Sequence, residues 1–278
     1  MYDVQYASRS FVLSEVVHEY GPSVHILSNP VSLTLLARVC SPKTRQPVLN
    51  DVIGELYRQL VVEVINNEFD LASAEVETRM ADVLRKDGQD PAKAVIEANL
   101  LDATIKAVTV DIARAGILPS QVCYRTLNQV LDPDVVRQDH LIVSRAVDAS
   151  DRVVGARISG EKIGGPVDGR MMLFPDPMGA TGSSLSTAIQ YYKDTFGGKP
   201  RKLITLNLIV TPQFLKRILS DHPEVTVYAL RLDRGMSHAD VLAERLGARW
   251  DEETGLNEHG YIIPGGGGFG ELMNNSWI

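Results

Sequence analysis

Cysteine is scarce here: Cys40 and Cys123 are the only two among 278 residues. Two thiols that form no CxxC pair cannot build a disulfide framework, so a reducing cytosol fits. Long hydrophobic runs are missing as well. No apolar stretch approaches the ~18 residues a membrane-spanning helix needs. The first residues show no basic segment followed by an apolar core, so no secretory signal is expected. Basic clusters reduce to KPRK at 199–202 in a chain of net charge −7, which argues against nucleic acid as the main partner. One nucleotide-binding signature, GxxxxGK[ST], finds no match, and the small-residue turn at 179–184 does not carry the other, the GxGxxG fingerprint. The expectation is a cytoplasmic protein with neither membrane nor nucleic acid as partner. An apolar fraction of 44% is ordinary and allows a sizeable core.

What is present centres on 170–190, RMMLFPDPMGATGSSLSTAIQ. Met171–Phe174 reads as a short apolar strand that ends at Asp176. A turn of small residues follows, Gly179, Ala180, Thr181, Gly182, Ser183 and Ser184, and then a helix with Leu185, Ala188 and Ile189 on one face. Such a turn suits a phosphate. Glycines allow close approach, free N–H groups point at the anion from the helix start, and the helix dipole favours its charge. The hydroxyls of Thr181, Ser183 and Ser184 add donors.

The string Asp176-Pro177-Met178-Gly179-Ala180-Thr181-Gly182-Ser183-Ser184 resembles the phosphoribosyl-diphosphate (PRPP) loop of uracil phosphoribosyltransferases. That family pairs it with a second motif near the C-terminus, matched here by 256–265, LNEHGYIIPG. The order and separation of the two strings also fit.

Elsewhere the chain alternates strands and helices. Residues 1–22 show no clean period and read as an extension, leaving 23–278 as one domain. Val31–Cys40 reads as a helix. A longer helix runs from Asp51 to Asn66, capped by Asn50 or Asp51, with Ile53, Leu56, Leu60 and Val64 as a core or subunit stripe. Leu71–Arg85 and Pro91–Leu101 read as helices, although the resembled family usually carries strands there. Ile105–Ile112 is a buried strand running into Ala113-Arg114-Ala115-Gly116 and a helix, Leu118–Leu131. His140–Val147 and 152–158 form a strand pair around a turn at 148–151. Leu203–Val210 and Val225–Leu232 are strands, Thr211-Pro212 opens a helix, and Ser237 caps another through Leu246. The pattern predicts an α/β fold, a mostly parallel sheet flanked by helices, with N-terminal helices and a C-terminal Gly-rich loop. Ligands of such sheets sit at the carboxyl ends of the strands, where Arg114, Arg145 and Asp176 all fall.

The resemblance implies a phosphoribosyltransferase that makes UMP and diphosphate from uracil and PRPP in pyrimidine salvage. It implies Asp176 on the ribose hydroxyls, Ala180–Ser184 around the 5′-phosphate, and Arg114 and Arg145 with Mg²⁺ on the diphosphate. Pro177 beside Asp176 leaves one acidic residue in the loop, so Mg²⁺ is expected to arrive with PRPP rather than in a protein cage. Tyr261, Ile262 and the amides of Gly267, Gly268 and Phe269 would frame the base. A homodimer or higher homo-oligomer is implied too. The family motif reads GYIIPGLGDAGD, whereas this chain has Gly268 for an aspartate and Phe269 for an alanine. The phenyl ring could fill the base pocket, stack on the base or turn outward. Glu271 could stand in for the missing carboxylate. Two alternatives follow: a PRPP- or nucleotide-binding regulatory protein without transfer, and a transferase for another base.

Overall fold

The valine-, isoleucine- and leucine-rich runs become the strands of one eight-stranded sheet. The computed structural model describes residues 11–147 and 153–277, with the side chains of 145–147 and 153–155 outside that description. Across the sheet the order is β1 (Val24–Ile26), β10 (Val225–Leu232), β9 (Lys202–Val210), β7 (Met171–Pro175), β4 (Ala107–Ala113), β5 (Val136–Val147) and β6 (Val153–Lys162). Every neighbouring pair on this path is parallel except β5 and β6. The two-residue β8 (Met178–Gly179) pairs parallel with the end of β9.

Helices cover both faces, which is why β9 and β10 are apolar almost throughout. On one side lie α2 (Val48–Glu68) and α4 (Ile117–Leu127), whose Leu56, Tyr57, Cys123 and Leu127 share a core with Leu173 and Leu206 of the sheet. On the other lie α5 (Ser183–Thr195) and α6 (Pro212–Asp221), with Leu185, Ile189, Phe214 and Ile218 packed with Val108, Phe174 and Val227. The stripe Ile53, Leu56, Leu60 and Val64 is core, each side chain fully buried. Burial of one such side chain contributes about 1.5–3 kcal/mol.

Local chemistry sets the helix starts. Asn29 caps α1 (Pro30–Cys40), its Oδ1 accepting from Val31 N at 3.0 Å and Ser32 N at 3.2 Å. Thr211 caps α6 through Phe214 N at 3.0 Å, with Pro212 at the first helical position. Asn50 and Asp51 do not cap α2. The helix begins three residues earlier, at Val48, and Asn50, inside it, donates from Nδ2 to the Met273 carbonyl at 3.0 Å.

Two further expectations are corrected. Residues 71–101 are not two helices. They form an antiparallel ribbon of β2 (Leu71–Glu77) and β3 (Val95–Leu101), joined through the short α3 (Met80–Lys86) and one 3₁₀ turn at Pro91–Ala94. Alanine gives the segment helical propensity, but pairing between residues 18 to 30 apart wins, with Ala72, Ala74 and Val76 opposite Leu100, Ala98 and Ile96. Ser237 does not start a long helix either. Its hydroxyl donates to Thr254 O and accepts from Thr254 N, and only α7 (Ala239–Leu242) follows. Residues 11–22 are attached to the body: Val16 N donates to Ile26 O, and buried Tyr20 stacks edge-on against Trp250. The turn expected at 148–151 lies outside the described residues.

Candidate active site

The loop after β7 is stitched to β9 and to the residue that follows it. Asp176 N donates to Leu206 O at 3.0 Å, and Leu208 N and Ile209 N both donate to Pro177 O at 3.1 Å. Thr211 N donates to Gly179 O at 3.0 Å, and Thr211 Oγ1 donates to Ala180 O at 2.6 Å. Asn207, fully buried, donates from Nδ2 to Asp176 O at 2.6 Å. A Cβ on Gly179 would meet Phe214 at 2.8 Å and Val210 at 2.9 Å, so only glycine lets the loop lie this low. Gly182 then adopts a left-handed φ of +75° and opens α5 with no side-chain cap. Of the first amides of α5, Ser183 N donates to Thr181 Oγ1 at 3.4 Å and the next ones have no cap, with Thr181 and Ser184 exposed beside them. This is the cradle an anion needs.

Asp176 stands half-buried at the mouth of that loop. Burial pushes its carboxyl up to about 6, opposed by a hydrogen bond at 3.3 Å from Met178 N.

Strand β4 lies beside β7, which places the 113–116 turn next to the loop. Gly116 makes this possible: a Cβ there would meet the Ile112 backbone at 2.8 Å and Pro175 O at 3.2 Å. The Ala113–Arg114 peptide is cis. Arg114, one-third exposed, donates from Nη1 to Ser276 Oγ at 2.9 Å and Ser276 O at 3.1 Å. Its Nη2 lies 3.8 Å from the Glu271 carboxylate. Arg145 sits near the end of β5, paired with Ala156 of β6, and its side chain lies outside the described residues.

The C-terminal loop returns to the same edge. Asn257 Oδ1 accepts from His259 N at 3.0 Å and Tyr261 N at 2.9 Å, which folds a tight turn and leaves Tyr261 exposed. Ile262 is buried. Gly265 N donates at 2.8 Å to Asp233, a buried carboxylate at the end of β10 that is also ion-paired with Arg231. Gly267 takes a φ of +86°, and Gly268 precedes α8 (Phe269–Asn274). Of the three fates open to the Phe269 ring, the structure shows packing inward: it is 1% exposed and joins the core beside Cys40. Gln46 Nε2 donates to the carbonyls of Leu272 and Met273, each at 3.1 Å, and clamps α8.

A cleft of about 640 Å³ lies between loop 41–46 and Gly265–Gly267, with Trp277 on its wall. Asp176 and Arg114 do not line it. Cys40 does, but burial raises its thiol to about 11, so it is no nucleophile. A Ser–His pair on the far face is not catalytic either. Ser186 Oγ lies 3.1 Å from His222 Nε2, yet His222 Nδ1 faces the Lys193 ammonium at 2.9 Å. Nδ1 must therefore accept, Nε2 carries the proton, and the ring cannot take one from serine.

Four residues that organise the edge escaped sequence reading: Asn207, Thr211, Asp233 and Ser276. Each acts across 31 or more residues of chain. Thr211 alone carried a local signal, as a helix cap.

The family model described as "Uracil phosphoribosyltransferase" matches residues 26–251. Among curated proteins, the uracil phosphoribosyltransferase of Caldanaerobacter subterraneus subsp. tengcongensis is 38% identical over 104 residues, 37% of this chain and 39% of that protein. The Acinetobacter baylyi uracil phosphoribosyltransferase is 32% identical over 130 residues, 47% of this chain and 51% of that protein. The alignments thus span about two fifths to half of these relatives' lengths. Among solved structures, the AQ2163 protein from Aquifex aeolicus superposes with a TM-score of 0.65 over 90% of this chain and 97% of its own, at 24% identity, and shares the fold.

Proposed function

The chain belongs to the uracil phosphoribosyltransferase family, and on that premise we propose that it transfers a phosphoribosyl group from PRPP to uracil, giving UMP and diphosphate. The observation that carries the reading is the anion cradle at 176–184, held at the carboxyl edge beside the Arg114 turn of the adjacent strand. The base nitrogen attacks the anomeric carbon as diphosphate leaves, and the ribosyl centre becomes cation-like. Such a reaction needs positioning and charge stabilisation rather than a protein nucleophile. Asp176, ionised above about pH 6, accepts from the ribose hydroxyls. The uncapped amides of α5 and the hydroxyls of Thr181, Ser183 and Ser184 hold the 5′-phosphate. Arg114 and Arg145 take the diphosphate. Tyr261, Ile262 and the backbone of Gly267–Phe269 frame the base. A lone carboxylate in the loop suits Mg²⁺ that arrives on PRPP, where it would neutralise charge on the leaving group. The test is UMP formation from uracil and PRPP.

A second reading has one observation in its favour: Arg114 is already engaged by Ser276 and Glu271. On that reading the chain binds PRPP without transfer and acts as a regulator.

A homo-oligomer belongs to the proposal as well. One face of the ribbon carries Ala72, Ala74 and Val76 beside Ile96, Ala98 and Leu100, with Val76, Ile96 and Leu100 exposed. A two-stranded ribbon alone is marginal in water and needs a surface to pack on. Ile96→Glu is expected to shift the sedimenting species from oligomer to monomer. A wild-type chain that sediments as a monomer contradicts the assignment.

A further inference from the structure

Arg114 is held by the chain's own C-terminal segment. Ser276 supplies a hydroxyl at 2.9 Å and a carbonyl at 3.1 Å, and Glu271 brings a carboxylate to 3.8 Å. These are the group types a phosphate ester would present: oxygen acceptors and a negative charge. We propose that residues 271–276 are an internal occupant of the Arg114 anion site, which PRPP or free diphosphate must displace. The proposal rests on the phosphoribosyl-transfer reading above.

Local structure explains how the segment reaches the arginine. Helix α8 is fixed along its length: Phe269 is buried at its start, and near its end Gln46 and Asn50 grip the Leu272 and Met273 carbonyls. Asn275 adopts a left-handed φ of 46° and reverses the chain after one and a half turns. Asparagine tolerates that conformation better than most residues. Ser276 N then donates to Glu271 O at 3.2 Å, which sets the serine beside Arg114. Glycine at 268 leaves room for the Glu271 carboxylate as placed: a Cβ there would push aside the free end of that side chain.

The occupant is weak by construction. Arg114 and Glu271 are each about one-third exposed, and Asn274–Trp277 are exposed. Partly exposed pairs contribute little, so a substrate with several phosphate oxygens outcompetes them. Glu271 thereby sets the affinity of the site, by competing for its arginine.

The experiment is calorimetric Kd for inorganic diphosphate and for PRPP with Mg²⁺, on wild type, Glu271→Gln, Ser276→Ala and the double variant. Each single change is expected to tighten binding about two- to fivefold, and the pair about tenfold. A gain of affinity cannot come from damaged folding. Unchanged or weaker binding by the double variant, with wild type binding PRPP, overturns the internal occupant and leaves the transfer reading standing. A wild-type chain that binds neither probe overturns both.

Discussion

Asp176→Asn is expected to cut turnover about 100-fold or more while making the protein more heat-stable at pH 7.5. Burial holds the Asp176 carboxyl at about 6 in the folded chain, against an ordinary value of 3.8. The unfolded chain therefore ionises first. As pH rises from the unfolded value through about 6, the folded state must bear a half-buried charge and loses stability it held at lower pH. Asparagine keeps the shape and can still accept from Met178 N, but it carries no charge. With allowance for partial solvation, the variant gains about 2 kcal/mol at pH 7.5, or roughly 4 °C in Tm. The gain vanishes below about pH 4, where both side chains are neutral. Turnover moves the other way, because the ribose hydroxyls lose a charged acceptor, a loss of about 100-fold or more. Thermal melts at both pH values and one activity series check this. A lower Tm at pH 7.5 would mean that the carboxylate stabilises the fold, contrary to its burial.

Gly265→Ala is expected to cripple use of the base while sparing PRPP binding. Gly265 takes a φ of +56°, and an added Cβ would collide with the Ile262 carbonyl. Its N–H is also the donor that Asp233 holds at 2.8 Å. The loop must shift, and a misplacement of about 1 Å costs on the order of 100-fold in kcat/KM. The base side should suffer, because the 176–184 loop is anchored separately by β9 and Thr211. Saturation curves for base, read beside calorimetric PRPP binding, separate the two. An unchanged KM for the base would remove this loop from the base site.

What sequence reading reached, and what it missed, follows from the range of the forces involved. Asp176–Ser184 was legible because strand, turn glycines and helix start lie in one contiguous string. The bounds Val225–Leu232 are legible to the residue, since a run that opens on three β-branched residues and stays apolar but for Arg231 leaves little choice. The ribbon at 71–101 was misread as helix because its evidence is pairing between distant residues, and its alanines point the other way locally. Ser237 looked like a cap, but its hydroxyl is taken up by Thr254. The Arg114 turn was visible, whereas its engagement by Ser276 spans 162 residues and no local pattern reports it. The sequence allows the Phe269 ring three fates because only packing against the core decides where a ring goes.

The central claim is transfer of a phosphoribosyl group to uracil. Its most direct test is mass-spectrometric detection of nucleotide from PRPP, Mg²⁺ and uracil, repeated with a panel of other bases and with Asp176→Asn. The account predicts UMP with one diphosphate released per UMP, and about 100-fold less, or lower still, from the variant. Bound PRPP that yields no nucleotide with any base would contradict it and leave a PRPP-binding regulator.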